Sequence, residues 1–153
     1  METITLSIKR EDVYTEVDKT TDYTGAKLNG AEAGARDRIV ATQSDLKVLS
    51  RFWEEACATA NERLKEMFVG SSLPSAEDYS VTLQVSVAVD KVLVPSVEAT
   101  LRSFFIVFIT GKWYVFANKG EAKDYFDEAG ALMEDVRRKL YSRMRPRSPR
   151  LRD

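Results

Sequence analysis

Leu46, Leu49, Trp53, Ala56, Ala60, Leu64 and Met67 recur at intervals of three or four residues, and no other stretch constrains the fold as much. Side chains at that spacing form one continuous stripe along a helix. Phe52, Cys57 and Phe68 widen the stripe. Upstream, the Thr42 hydroxyl can accept from the third helical amide, and Asp45 adds negative charge to the first turn. Downstream, Gly70-Ser71-Ser72-Leu73-Pro74 stops the helix. The spacing therefore predicts a helix over about 43–69, a rod of roughly 40 Å at 1.5 Å per residue. A rod longer than the usual globular helix leaves two readings open. Either Leu49, Trp53, Ala60 and Leu64 are offered in part to a second subunit, or the rod kinks near Cys57-Ala58-Thr59 and buries both halves internally.

The remaining chain supplies partners for that stripe. Ile4, Leu6 and Ile8 share one face of a period-two stretch, which reads as a short strand. Val13 and Val17 suggest one or two helical turns from Glu11. The glycine-rich run 25–34 then reads as a loop, either a surface loop or a subunit-contact arm, because small residues are costly to order. Tyr79, Val81, Leu83, Val85, Val87 and Val89 alternate with Ser80, Thr82, Gln84, Ser86 and Ala88, a half-buried strand with an uncharged outer face. Pro95 suits the first turn of a helix over about 96–117. The run Phe104 to Phe116 also reads as a hairpin about Thr110-Gly111. Helix is favoured, since nothing breaks the chain before Phe104; Phe108 and Trp113 then sit in the core, and Gly111 marks close packing or a bend. A last helix covers about 121–142. The expected fold class is α+β: three substantial helices packed with a small, mostly antiparallel sheet in one domain, residues 1–142, with a tail at 143–153.

Size and composition fit this. With 153 residues and 44% hydrophobic content, one core buries roughly 69% of the extended chain's surface. Cys57 stands alone, which excludes an intramolecular disulfide and a multi-cysteine metal site; beside the stripe it reads as a small buried hydrophobe rather than a nucleophile. Histidine is absent, removing the usual neutral-pH proton shuttle. Gly25, Gly30 and Gly34 lack the spacing of a phosphate-binding loop. Glu54 with Glu55, and Asp127 with Glu128, are adjacent helix residues that do not face each other across a substrate. No catalytic residue, cofactor or metal is expected. Neither is a secretory leader or a membrane partner: the most apolar run, Phe104 to Ala117, is shorter than a bilayer span.

The formal net charge of −1 hides a segregation. Residues 137–153 carry Arg137, Arg138, Lys139, Arg143, Arg145, Arg147, Arg150 and Arg152 against Asp153 alone, a net of +7, whereas residues 1–136 carry −8. Pro146 and Pro149 prevent a continuous helix there. The arginine fork suits phosphate and carboxylate alike, so the tail is a candidate contact for DNA backbone, for an acidic protein surface such as a second copy, or for solvent only. Nothing in the sequence supports base-specific reading.

The segments Asp12-Val13-Tyr14 to Tyr23-Thr24-Gly25-Ala26-Lys27, Asp45 to Ala56, and Lys139-Leu140-Tyr141-Ser142-Arg143-Met144-Arg145-Pro146 resemble small uncharacterised proteins from the structural modules of tailed phages and prophages of Bacteroides-type bacteria. The resemblance implies a non-enzymatic virion assembly protein: a head–tail connector, head-completion or tail-associated subunit, put together in the bacterial cytoplasm. Its partners would be other virion proteins, a second copy of the chain, and packaged DNA contacted without sequence preference. The alternatives are a monomeric adaptor or regulatory module binding a host protein, and a non-specific DNA-backbone-binding protein.

Overall fold

The computed structural model describes residues 2–29, 45–69 and 77–141, and the following account concerns those residues. It is α+β, a single domain of packed helices and a small antiparallel sheet. The order is β1 (Glu2–Ile8), α1 (Arg10–Asn29), α2 (Leu46–Leu64), a 3-10 turn (Lys65–Met67), β2 (Tyr79–Val85), a second 3-10 turn (Lys91–Leu93), α3 (Val94–Ala117) and α4 (Lys119–Leu140).

The segment 104–116 is helical, and α3 continues unbroken to Ala117. Its buried residues Val97, Leu101, Phe104, Phe105, Ile109, Thr110, Gly111, Tyr114 and Ala117 are spread around the helix, so more than one neighbour covers it, while Ala99, Arg102, Val115 and Phe116 stay exposed. α3 packs against α1, α2, α4 and β1. By length and composition alone it would also suit a bilayer. Phe105 sits at the centre, with ring centroids 4.8 Å from Trp53 of α2, 5.0 Å from Tyr79 of β2 and 5.6 Å from Phe104. Phe108 and Trp113, expected in the core, are half-buried at its margin.

Asn118 alone joins α3 to α4, its extended backbone (φ −157°, ψ 69°) reversing the chain while its N–H donates to the Tyr114 carbonyl at 2.8 Å. The two helices then approach closely at Gly111. A Cβ there would lie 3.1 Å from both Phe126 Cε1 and Tyr125 Cβ, so the glycine is a packing residue, as the sequence suggested.

Three elements differ from expectation. α1 is a helix of 20 residues, not one or two turns, and takes in positions 25–29 of the expected loop; positions 30–34 lie outside the described residues. Its buried side is a ladder four residues apart: Val13, Val17, Thr21 and Gly25. Only the first two are apolar, so the hydrophobic signal fades halfway. Thr15, Thr20 and Thr21 donate their hydroxyls to the carbonyls of Glu11, Glu16 and Val17 at 2.8–3.0 Å, satisfying them within the helix. α2 is also shorter than 43–69. After Leu64 the chain tightens into the 3-10 turn, and Phe68 becomes extended and bridges Leu83. Nineteen residues make a rod of about 28 Å, and the proposed Thr42 cap lies outside the described residues. β2 ends at Val85; a turn closed by the Val89 N–H on the Ser86 carbonyl (3.0 Å) leaves Val87 exposed and Val89 buried.

The strands pair Glu2 with Val85 through Ile8 with Tyr79. Ile4, Leu6, Ile8, Tyr79, Val81, Leu83 and Val85 face the helices. Asp78, just before β2, accepts from the Arg10 N–H at 3.0 Å and ties the start of α1 to the start of that strand.

The glycines give a paired expectation. Gly130 of α4 has nothing within 4 Å of an added Cβ, so Gly130→Ala should stabilise by about 1 kcal/mol through helix propensity. Gly111→Ala meets the Tyr125 stem and should lose about 1–2 kcal/mol by overpacking. Urea midpoints of the two variants, moving in opposite directions, check this.

Candidate functional site

The four stripe residues proposed as a subunit contact are internal. Leu49, Trp53, Ala60 and Leu64 are at most 3% exposed, covered by this chain's own β2, α3 and neighbouring side chains. The helix is shorter than expected and the sheet and α3 close over its apolar side, so these four residues build the core, while Leu46 at the start of the stripe stays exposed.

The basic end divides in two. Arg143, Arg145, Arg147, Arg150 and Arg152 lie outside the described residues. Arg137, Arg138 and Lys139 occupy the last turn of α4, where cations suit the helix C-terminus. Arg137 pairs with Glu134 at 3.7 Å, and Arg138 pairs with Asp135. Lys139 is held most firmly: Nζ donates to Ser96 Oγ at 2.8 Å and Thr100 Oγ1 at 3.0 Å on α3, and lies 3.0 Å from Asp135 Oδ2. It fastens the end of α4 to the start of α3 and is not a spare contact. Hydrogen bonds from Arg138 and Lys139 hold the Asp135 carboxyl below its ordinary value.

The acidic pairs read in the sequence are separated by their surroundings. Glu55 meets Lys112 at 3.4 Å and Arg51 at 3.9 Å, whereas Glu54 is exposed. Asp127 and Glu128 both face solvent. Among the described residues no group of three or more metal-ligating side chains comes together. Cys57 is half-buried, and burial, with the Glu54 carboxylate nearby, pushes its thiol up to about 12.

The outer surface of the sheet is the least ordinary feature. Thr3, Thr5 and Ser7 of β1 lie opposite Gln84, Thr82 and Ser80 of β2, making an uncharged face of hydroxyl and amide groups. The Thr5 and Thr82 hydroxyls meet at 3.3 Å across its centre. Such a face is unexpected in a chain with 31% charged residues. Beside β1, a groove of about 330 Å³ runs between Ser7, Lys9 and Asp12 on one bank and Pro95, Glu98 and Arg102 of α3 on the other. Its charges are balanced, with acids and bases facing each other. At the opposite end of α3, Phe116 stacks on Phe52 at 6.2 Å but remains 72% exposed, beside exposed Val115.

Sequence alternation pointed to the uncharged β2 face but not to the matching one on β1, although Thr3, Thr5 and Ser7 alternate just as plainly. No protein-family model, curated protein or solved structure matches this chain.

Two measurements check these assignments. With a thiol at about 12, only about 1 in 10⁴ molecules carries the thiolate at pH 8, so Cys57 should react with a disulfide reagent orders of magnitude faster in denaturant than in the folded protein. Lys139→Ala should cost about 1–3 kcal/mol in urea unfolding. Arg138→Ala, at an exposed ion pair, should stay within about 0.5 kcal/mol of the parent.

Proposed function

We propose that this chain is a non-catalytic assembly subunit that works by presenting surfaces to other macromolecules, in the phage neck or tail setting that its sequence resemblance implies. The observation that carries this reading is the uncharged outer face of the sheet. Solvated faces of soluble domains are ordinarily dotted with lysine and glutamate, which also discourage unwanted strand pairing. Here the charge is placed elsewhere, on the helices and in the C-terminal run.

That run supplies a second mode of contact. Arg137, Arg138 and Lys139 are engaged by Glu134, Asp135, Ser96 and Thr100, and the sequence beyond Tyr141 holds five arginines and one acid, Asp153. Residues 142–153 then carry +4 and residues 1–141 carry −5. A short arginine-rich segment on an acidic body suits the phosphate backbone of DNA, which it meets by counterion release and without reading sequence.

Light scattering and DNA retention of the intact and 1–142 proteins across a salt series test the proposal. The intact protein should retain duplex DNA with a log–log salt slope near −4.5 if all five arginines engage. The 1–142 protein should lose retention and keep its self-association. If truncation abolishes self-association instead, the tail docks on a neighbouring body and the DNA contact is wrong. A monomer at every concentration and salt, with no hold on DNA, would overturn the assembly reading itself.

A further inference from the structure

We infer that β1 is a self-pairing edge: two copies of this chain join β1 to β1 in antiparallel fashion about a two-fold axis, giving one four-stranded sheet with the two β2 strands outermost. The inference rests on the assembly reading and assigns it a surface, a partner and a register.

The direction of the backbone groups comes first. Alternate residues of an antiparallel pair turn their N–H and C=O toward the partner strand and away from it. Two contacts fix which do which. The Ser7 N–H points away from β2, toward Glu98 Oε2 at 3.5 Å, and the Thr82 carbonyl points away from β1, accepting from the Val69 N–H at 3.2 Å. Ser7 pairs with Ser80 and Thr5 with Thr82, so the odd-numbered residues of β1 direct their backbone groups to the outside. Thr3 and Thr5 therefore present N–H and C=O groups with no backbone partner among the described residues.

The two edges of the sheet are treated differently. Phe68 and Val69 lie along the outer edge of β2. Among the described residues, the outer edge of β1 is met by Glu98 of α3 at its Ser7 end, and Lys91 pairs with Glu2 at its start. Natural edge strands are guarded by lysine, proline, a bulge or a covering element, and Thr3-Ile4-Thr5-Leu6-Ser7-Ile8 contains no lysine, proline or bulge. Its branched residues favour the extended state. A two-stranded sheet also gains stability from added strands.

Charge and register select a second copy as the occupant. Glu2 is held by Lys91 of its own chain, and Lys9 and Arg10 follow the strand. A parallel arrangement of two copies sets cation beside cation at that end, whereas antiparallel self-pairing keeps the two cationic ends apart. With Thr5 on the axis, Thr5 faces the partner's Thr5 and Thr3 faces the partner's Ser7. Thr3, Thr5 and Ser7 then all have their outward groups paired, and the hydroxyl face continues across both copies. The groove of about 330 Å³ beside Ser7 and Lys9 gives the incoming strand room. Ser7 exchanges the long Glu98 contact for the carbonyl of the partner's Thr3.

Sedimentation of the full chain over a concentration series, with three variants, tests this. Thr5→Pro removes an N–H that takes no part in the β1–β2 ladder, and proline is tolerated on an edge facing outward. It should keep the parent's circular dichroism and weaken dimerisation at least tenfold. Thr5→Cys should form a disulfide-linked dimer under mild oxidation, because facing residues in a hydrogen-bonded pair sit about 5.5 Å apart at Cα, within disulfide reach. Thr3→Cys should not, because it faces the partner's Ser7; the parent, with Cys57 alone, is the control. A parent that stays monomeric, or equal cross-linking of Thr3→Cys and Thr5→Cys, overturns the inference. A dimer that survives in Thr5→Pro also overturns it but leaves the assembly reading standing, since that chain still associates by another face.

Discussion

The fold depends on covering α3, the most apolar helix among the described residues. Its apolar run is stable in water where neighbours cover it, and each remaining element contributes one covering face, with Val115 and Phe116 left exposed near its end. β1 and β2 supply alternating inward residues, α1 a narrow ladder, α2 a broad stripe and α4 an antiparallel partner joined through one residue. Phe105 is where these meet, in ring contact with Trp53 and Tyr79. A buried aromatic of this kind is worth several kcal/mol, so its loss would loosen the contact among α2, α3 and β2 together. The one lysine in the middle of α3's apolar run obeys the same constraint. Lys112 Nζ lies 3.4 Å from Glu55 and 5.6 and 5.9 Å from the Phe108 and Phe126 rings, so its charge is met at the margin of the core.

Polar contacts then set how the covering elements sit. Asp78 fastens α1 to β2, Asn61 accepts from the Tyr79 hydroxyl at 3.0 Å between α2 and β2, and Lys139 pins α4 to α3. Each joins elements distant in sequence. Burial raises the Tyr79 hydroxyl above its usual value, keeping it a neutral donor to Asn61.

Legibility in the sequence followed the strength of the apolar period. α2, the inward faces of both strands and the helical form of 104–116 were readable because their buried positions are filled by large apolar residues. α1 was not, because two of its four buried ladder positions are Thr21 and Gly25, indistinguishable by hydropathy from loop residues. The fate of the α2 stripe was unreadable for a different reason: periodicity says that a face is covered, never by what. Leu49, Trp53, Ala60 and Leu64 are covered from within the chain. Lys139 illustrates the same limit for charge, since a basic run in sequence does not reveal that one member is held by two hydroxyls of another helix.

The two-stranded sheet is a consequence of that covering arrangement. Once α2 ends, Phe68 and Val69 are delivered against β2, so that edge is met by the chain's own connection. β1 passes directly into α1 through Lys9, and among the described residues no connection runs along the outer edge at Thr3 and Thr5. The helices pack on the sheet's inner face, and Glu98 of α3 meets the outward N–H of Ser7. Among the described residues the edge at Thr3 and Thr5 is left unmet, and a single lysine could have guarded it. Hydroxyl side chains stand there instead. An edge left open by topology and left unguarded by composition is better explained by a strand that pairs with it than by solvent.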